Sequence, residues 1–125
     1  APSLCVETMG KINVFGSLEE VAKLVEETRC GFCIDFAHVL ARYKEPKFEE
    51  IKKLFEKHKS WHCHFSGIVY GEKGEKHHRQ TERAEWKNLL GNLKNIAKGK
   101  NITIISEAPG PVEDAKIALA VKKVL

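Results

Sequence analysis

Three carboxylates and one imidazole each close a short apolar run: Glu7 in "SLCVET", Asp35 in "CGFCIDFA", His64 in "WHCHFS" and Glu107 in "ITIISEA". In an extended chain, side chains two apart share a face. Cys5 and Glu7 therefore oppose Leu4 and Val6, and Cys33 and Asp35 oppose Phe32 and Ile34. His62, His64 and Ser66 oppose Cys63 and Phe65, while Ile105 and Glu107 oppose Ile104 and Ser106. If the four runs are parallel neighbours, Glu7, Asp35, His64 and Glu107 arrive together at the C-terminal ends of their strands. Carboxylates gathered in a dry site repel one another and lose hydration, a penalty that a divalent cation removes. A shell of three carboxylates and an imidazole suits zinc, with manganese or magnesium as alternatives. A single polar residue at a strand end is ordinarily a solvated one. Four of ligand type, each opposite the main apolar positions, require a common cause.

Two further groups extend the set. His38 follows Asp35 by three residues, just beyond the run, and so belongs to the same mouth. The segment "GIVYGEKGEKHH" carries Glu75 and His77 one residue apart, a spacing at which a carboxylate and an imidazole chelate one ion. Together with His38 they predict a second ion position close to the first, with His78 as the alternative to His77. His62 lies one step deeper than His64 and is expected to fill the interior or support its neighbour.

The elements that must position these groups alternate along the chain. Strands are predicted near 3–8, 30–37, 61–66 and 102–108, each followed by a segment of helical period. Residues 17–28 open with Ser17 and Glu20 spaced as a capping box and place Leu18, Val21, Leu24 and Val25 on one face. Residues 46–58 start at Pro46 and bury Phe48, Ile51, Leu54 and Phe55. Residues 81–99 carry Trp86, Leu89, Leu90, Leu93 and Ile96 before Gly99, and the last helix begins at Pro111. Four βα units in succession call for an α/β fold with a parallel sheet and right-handed crossovers. With no linker or low-complexity tract, residues 1–125 read as one unit. A (β/α)8 barrel takes about 250 residues, so four units read as half of one, with a self-contained four-stranded α/β fold as the other option.

Composition fits a globular chain, with 42% apolar and 30% charged residues, and no run of about 20 apolar residues that would enter a membrane. The net charge of +4 admits a nucleic-acid partner without demanding one. Four cysteines, at 5, 30, 33 and 63, are too sparse for a disulfide scaffold. They read as buried, reduced strand residues, including the Cys30–Cys33 pair, and so imply a cytoplasmic protein.

"CVET", "CIDFAH", "HCHFSG", "GEKHH" and "SEAP", in this order on successive strands, resemble the C-terminal half of the endonuclease IV family. These are zinc-dependent apurinic/apyrimidinic endonucleases with a xylose-isomerase-like TIM barrel, and the resemblance spans essentially the whole chain. It implies a TIM half barrel and a share of a trinuclear zinc cluster. Glu7 would bridge two zincs, Asp35, His64 and Glu107 would complete the central one, and His38 would join a third. The family completes that third site with a D-x-H pair, where this sequence has Glu75-Lys76-His77. Ligands of the family's first zinc come from an N-terminal half that has no counterpart here. The 125 residues alone are thus expected to form an incomplete enzyme that pairs with an N-terminal half barrel or with copies of itself.

The implied function is hydrolysis of DNA phosphodiester bonds at abasic sites, a step in DNA repair. Glu107 or Glu7 would orient the attacking water, and Lys73, Lys76 and Arg79 would meet the phosphate backbone. Lys11, Arg42 and Lys44 are weaker candidates for the same role. The alternative is a sugar isomerase or epimerase of the same superfamily, holding a single manganese or magnesium. The four central ligands do not separate the two; Glu75, His77 and the basic loop favour the nuclease.

Overall fold

The four apolar runs lie side by side as a parallel sheet in the order β1-β2-β3-β6, in a computed structural model that describes residues 3–125. Ala1 and Pro2, the start of the predicted unit, lie outside the described residues. Along the chain, β1 (Cys5–Glu7) leads to α1 (Leu18–Thr28) and β2 (Gly31–Asp35), then to α2 (Phe36–Tyr43) and α3 (Phe48–Phe55). β3 (Ser60–Phe65) runs into a hairpin of β4 (Gly67–Gly71) and β5 (Gly74–Arg79). α4 (Arg83–Ile96), β6 (Asn101–Ser106) and α5 (Pro111–Lys123) complete it. The architecture is α/β, as the alternating pattern predicts.

One face of the sheet is covered by helices. Phe32, Ile34, Trp61, Cys63 and Phe65 are buried there with Leu18, Val21, Ile51, Phe55, Trp86 and Leu89. Trp61 adds direction to this packing by donating its indole N–H to the Phe55 carbonyl at 3.1 Å. Ser17 and Glu20 form the predicted capping box on α1. Asp114, fully buried near the start of α5, accepts from Thr81 (2.8 Å), the Trp86 indole (3.0 Å) and Ser106 (2.8 Å). This one carboxylate ties α4, α5 and β6 together.

Two elements depart from the expectation. Residues 36–43, read as the tail of a strand and a loop, form α2, because Asp35 caps the helix and Phe36, Val39 and Leu40 recur at its period. The segment read as a charged loop is the β4–β5 hairpin. "IVY" supplies strand formers, and Gly74, at φ 93°, turns the chain. A Cβ at Gly74 would collide with the Gly10 carbonyl, because the β1–α1 loop pairs with this turn through Lys11 and Gly74. The other sheet face is only partly covered. Of the four cysteines, Cys33 and Cys63 are buried as expected, whereas Cys5, read as buried, is exposed on the edge strand β1 and Cys30 is half-buried.

Candidate metal centre

The register sets the layers of the site. Glu7 pairs with Cys33, Cys33 with His62, Asp35 with His64, and His64 with Ile105. Glu107 follows β6, its backbone N–H donating to the Phe65 carbonyl at 3.0 Å. His64 Nδ1 consequently lies 3.0 Å from Glu7 Oε1, 3.0 Å from Glu107 Oε1 and 3.9 Å from Asp35 Oδ2. The structure thus brings all four strand-end groups together. The imidazole Nδ1 hydrogen-bonds to Glu7, with the Glu107 carboxylate equally near as a charge contact and Asp35 just behind.

Asp35 has two jobs because β2 passes directly into α2. Its Oδ1 accepts the His38 backbone N–H at 2.9 Å, capping the helix and fixing His38 in its first turn. Its Oδ2 is buried and has no hydrogen-bond partner among the described residues. Burial pushes the Asp35 carboxyl pKa up, and the nearby His38 only partly offsets this. A buried, unpartnered carboxylate oxygen facing two histidines is a destabilised group that a cation would relieve.

A second cluster sits beside the first. His38 Nδ1 lies 2.9 Å from the Thr8 carbonyl, to which it can only donate. The Ser66 hydroxyl donates to the Gly67 carbonyl at 2.8 Å, so at 2.6 Å it accepts from His78 Nδ1. In the neutral rings, with both Nδ1 atoms protonated, both Nε2 atoms present lone pairs, 3.3 Å apart. Glu75 Oε2 lies 3.2 Å from one and 3.4 Å from the other. Three acceptors facing one another need a positive charge among them, and hydrogen-bonded outer nitrogens are the usual means of orienting ligating histidines. Burial opposes protonation of His38, but Asp35, the Thr8 carbonyl and Glu75 outweigh it and leave its pKa above the ordinary value.

His78, not His77, completes this cluster, which corrects the spacing argument. Val69 pairs with His77 and Tyr70 with Glu75, leaving Lys76 as an extra residue in β5. Such a bulge resets the alternation, so Glu75 and His78 share a face although they are three apart. His77 is exposed on the other side. The β1–α1 loop is held against the cluster by Arg42, which donates to the carbonyls of Met9, Lys11, Ile12 and Val14 at 3.1–3.4 Å. A Cβ at Gly10 would stand 2.7 Å from Glu75 Cβ and 3.2 Å from His38 Cδ2, so only glycine lets the loop pass so close.

The basic residues divide likewise. Arg79 forms a bidentate pair with Glu85 at 2.8 and 2.9 Å, which joins the hairpin to α4 and takes it out of the predicted phosphate-facing set. Lys44 is bound to the Ala41 and Gly71 carbonyls, and Arg42 is engaged as described. Lys11, Lys73 and Lys76 are exposed on the paired loop and hairpin.

Donor atoms of Glu7, Asp35 and His64, and those of Asp35, His38 and His78, lie within 4.8 Å of one another in each set, a spacing at which they could hold a metal ion. The donors are oxygen and nitrogen, a mixture that fits zinc and similar divalent ions.

An uncharacterized protein of Methanocaldococcus jannaschii is 33% identical to this chain over 127 residues, taking in 90% of the chain and 45% of that protein. The chain therefore spans about half the length of the curated relative it matches. No family model and no solved structure matches it. None of the helices among the described residues is long and apolar enough to cross a membrane.

Proposed function

We propose that this chain is half of an endonuclease IV-like (β/α)8 barrel that hydrolyses DNA phosphodiester bonds at abasic sites. The observation that carries this reading is the paired cluster. Two sets of ligand-type groups share Asp35 at the C-terminal ends of parallel strands, where barrel enzymes keep their active sites. A single-ion sugar isomerase has no use for the Glu75, His38 and His78 set. Zinc ions held there supply Lewis acidity toward the phosphate and its leaving oxygen.

The chain's own groups take the remaining roles. Glu107, 42% exposed at its side chain and anchored through His64, reaches the mouth and accepts a proton from an attacking water. Asp35, Glu7 and the Nδ1-bonded histidines keep the ligand geometry fixed. Lys11, Lys73 and Lys76 offer charge to the phosphate backbone, a salt-dependent contribution.

The half-barrel reading draws on both ends of the sheet. β1 and β6 are edge strands, and Leu4, Ile105, Val112 and Leu119 beside them are 45–78% exposed. Eight parallel strands arise when β6 meets β1 of a second half, either an N-terminal half barrel or a second copy of this chain. The test is incision of an abasic-site duplex by the zinc-loaded chain, with Glu107→Gln as control. Zinc-dependent incision that Glu107→Gln abolishes is expected. A chain that holds zinc at both clusters, assembles into eight strands and still leaves the abasic duplex intact overturns the nuclease reading. Aldose–ketose interconversion by a one-ion form replaces it with the isomerase.

A further inference from the structure

One layer below Asp35 and His64, in register with Glu7, the inner face changes chemistry. Cys33 pairs in register with His62, which neighbours His64 two residues on, and one donor atom from each of the three lies within 4.8 Å of the others. His62 is half-buried, yet its imidazole has no hydrogen-bond partner among the described residues, whereas those of His38, His64 and His78 all do. Its ring stands edge-on to that of His64, with centroids 5.5 Å apart.

Cys33 is 4% exposed, and burial together with the charges of Glu7 and Asp35 pushes its thiol pKa strongly up. It is therefore no free nucleophile. A tetrahedral ion with a metal–sulfur distance of about 2.3 Å and metal–nitrogen distances of about 2.0 Å sets its donors roughly 3.5 Å apart. The three donor atoms, within 4.8 Å of one another, must draw closer to reach that spacing. Thiolate with two imidazoles selects borderline and soft cations over magnesium or manganese.

We propose that Cys33, His62 and His64 form a further metal site, specific for thiophilic cations such as cadmium or cobalt(II), that competes with the carboxylate site for His64. The competition follows from the imidazole itself: a neutral ring offers one lone pair, so His64 serves either the carboxylate set or the thiolate set. Binding is accompanied by transfer of the Cys33 thiol proton to solvent. An ion in this layer draws His64 away from Glu7 and Glu107, making the lower site inhibitory toward the upper one. The inference shares His64 with the proposed function but needs neither Asp35 nor Glu107.

Cobalt(II) added to the chain under reducing conditions provides the test. The wild-type chain should show the near-ultraviolet thiolate-to-cobalt charge-transfer band. Cys33→Ser should remove it, and His62→Gln should weaken the affinity that it reports by at least tenfold. Cys5→Ser, Cys30→Ser and Cys63→Ser should each keep it. No band in the wild type, or a band that survives Cys33→Ser, overturns the proposal. Should Cys33→Ser not fold, loss of the band in any folded single-serine variant of the other three cysteines, or full affinity in His62→Gln, overturns it instead. Asp35→Asn separates the two sites: loss of the upper ion with the band intact supports the lower site independently of the upper one.

Discussion

Asp35→Asn should stabilise the metal-free chain and remove most of the stabilisation that zinc gives it. The change keeps the oxygen that caps α2 through the His38 N–H and removes the charge from a fully buried group whose second oxygen has no partner. The amide nitrogen that replaces Oδ2 stays unpartnered beside His38 Nδ1, so the gain is that of removing a buried charge, about 1–3 kcal/mol. At roughly 4 °C per kcal/mol for a domain of this size, the metal-free variant should melt about 4–12 °C above wild type. Zinc at a hundred times its Kd adds about 2.7 kcal/mol to wild type, or roughly 11 °C. A hundredfold loss of affinity leaves the variant about 0.4 kcal/mol, or roughly 2 °C. Zinc should therefore raise wild type by about 9 °C more than the variant, narrowing or reversing the variant's lead. Thermal unfolding followed by circular dichroism, with chelator and with zinc, reads this directly. Equal zinc gains in both proteins, or a metal-free variant no more stable than wild type, would refute the reasoning. The pH dependence has a matching sign. Because burial raises the Asp35 pKa above 3.8, the folded chain holds that proton more tightly than the unfolded one. The Asp35 contribution to metal-free stability is therefore most favourable below pH 3.8 and declines as pH rises through the raised value. Asp35→Asn should remove that slope.

Other changes separate the groups of the site. His78→Ala should weaken zinc binding by at least tenfold in calorimetric titration, and His77→Ala should leave it unchanged, since only His78 faces His38 and Glu75. Gly10→Ala should push the loop away from Glu75 and His38 and lower zinc stoichiometry by one, with the Glu7–Asp35–His64 ion retained. Asp114→Ala orphans three donors and should cost about 3 kcal/mol or more in urea unfolding, with zinc affinity untouched in the folded fraction.

The strand-end ligands were legible because their signal is local. Apolar alternation sets the face, and position in the run sets the height, so Glu7, Asp35, His64 and Glu107 could be placed without knowing the partners of any strand. The second cluster was only half legible. Glu75 and His38 were identifiable by type, but the choice between His77 and His78 depends on a bulge at Lys76, a property of pairing between two strands. Helix α2 was missed because "FAHVLARY" continues an apolar run without punctuation, and Asp35 serves as last strand residue and cap at once. Arg42 and Arg79 look like free cations in the sequence. Only the fold shows that loop carbonyls and Glu85 engage them. Cys33 and His62 stand on different strands, and such a pair carries no joint spacing signal.

The proposed function requires a metal centre built from two sets of donors that meet at Asp35. Anomalous scattering at the zinc edge, from crystals of the zinc-loaded chain, tests it most directly. Two peaks are predicted, one among Glu7, Asp35, His64 and Glu107, the other among His38, Glu75 and His78. A zinc-equilibrated chain with no peak at either position, with Asp35 Oδ2 still unpartnered, would contradict it.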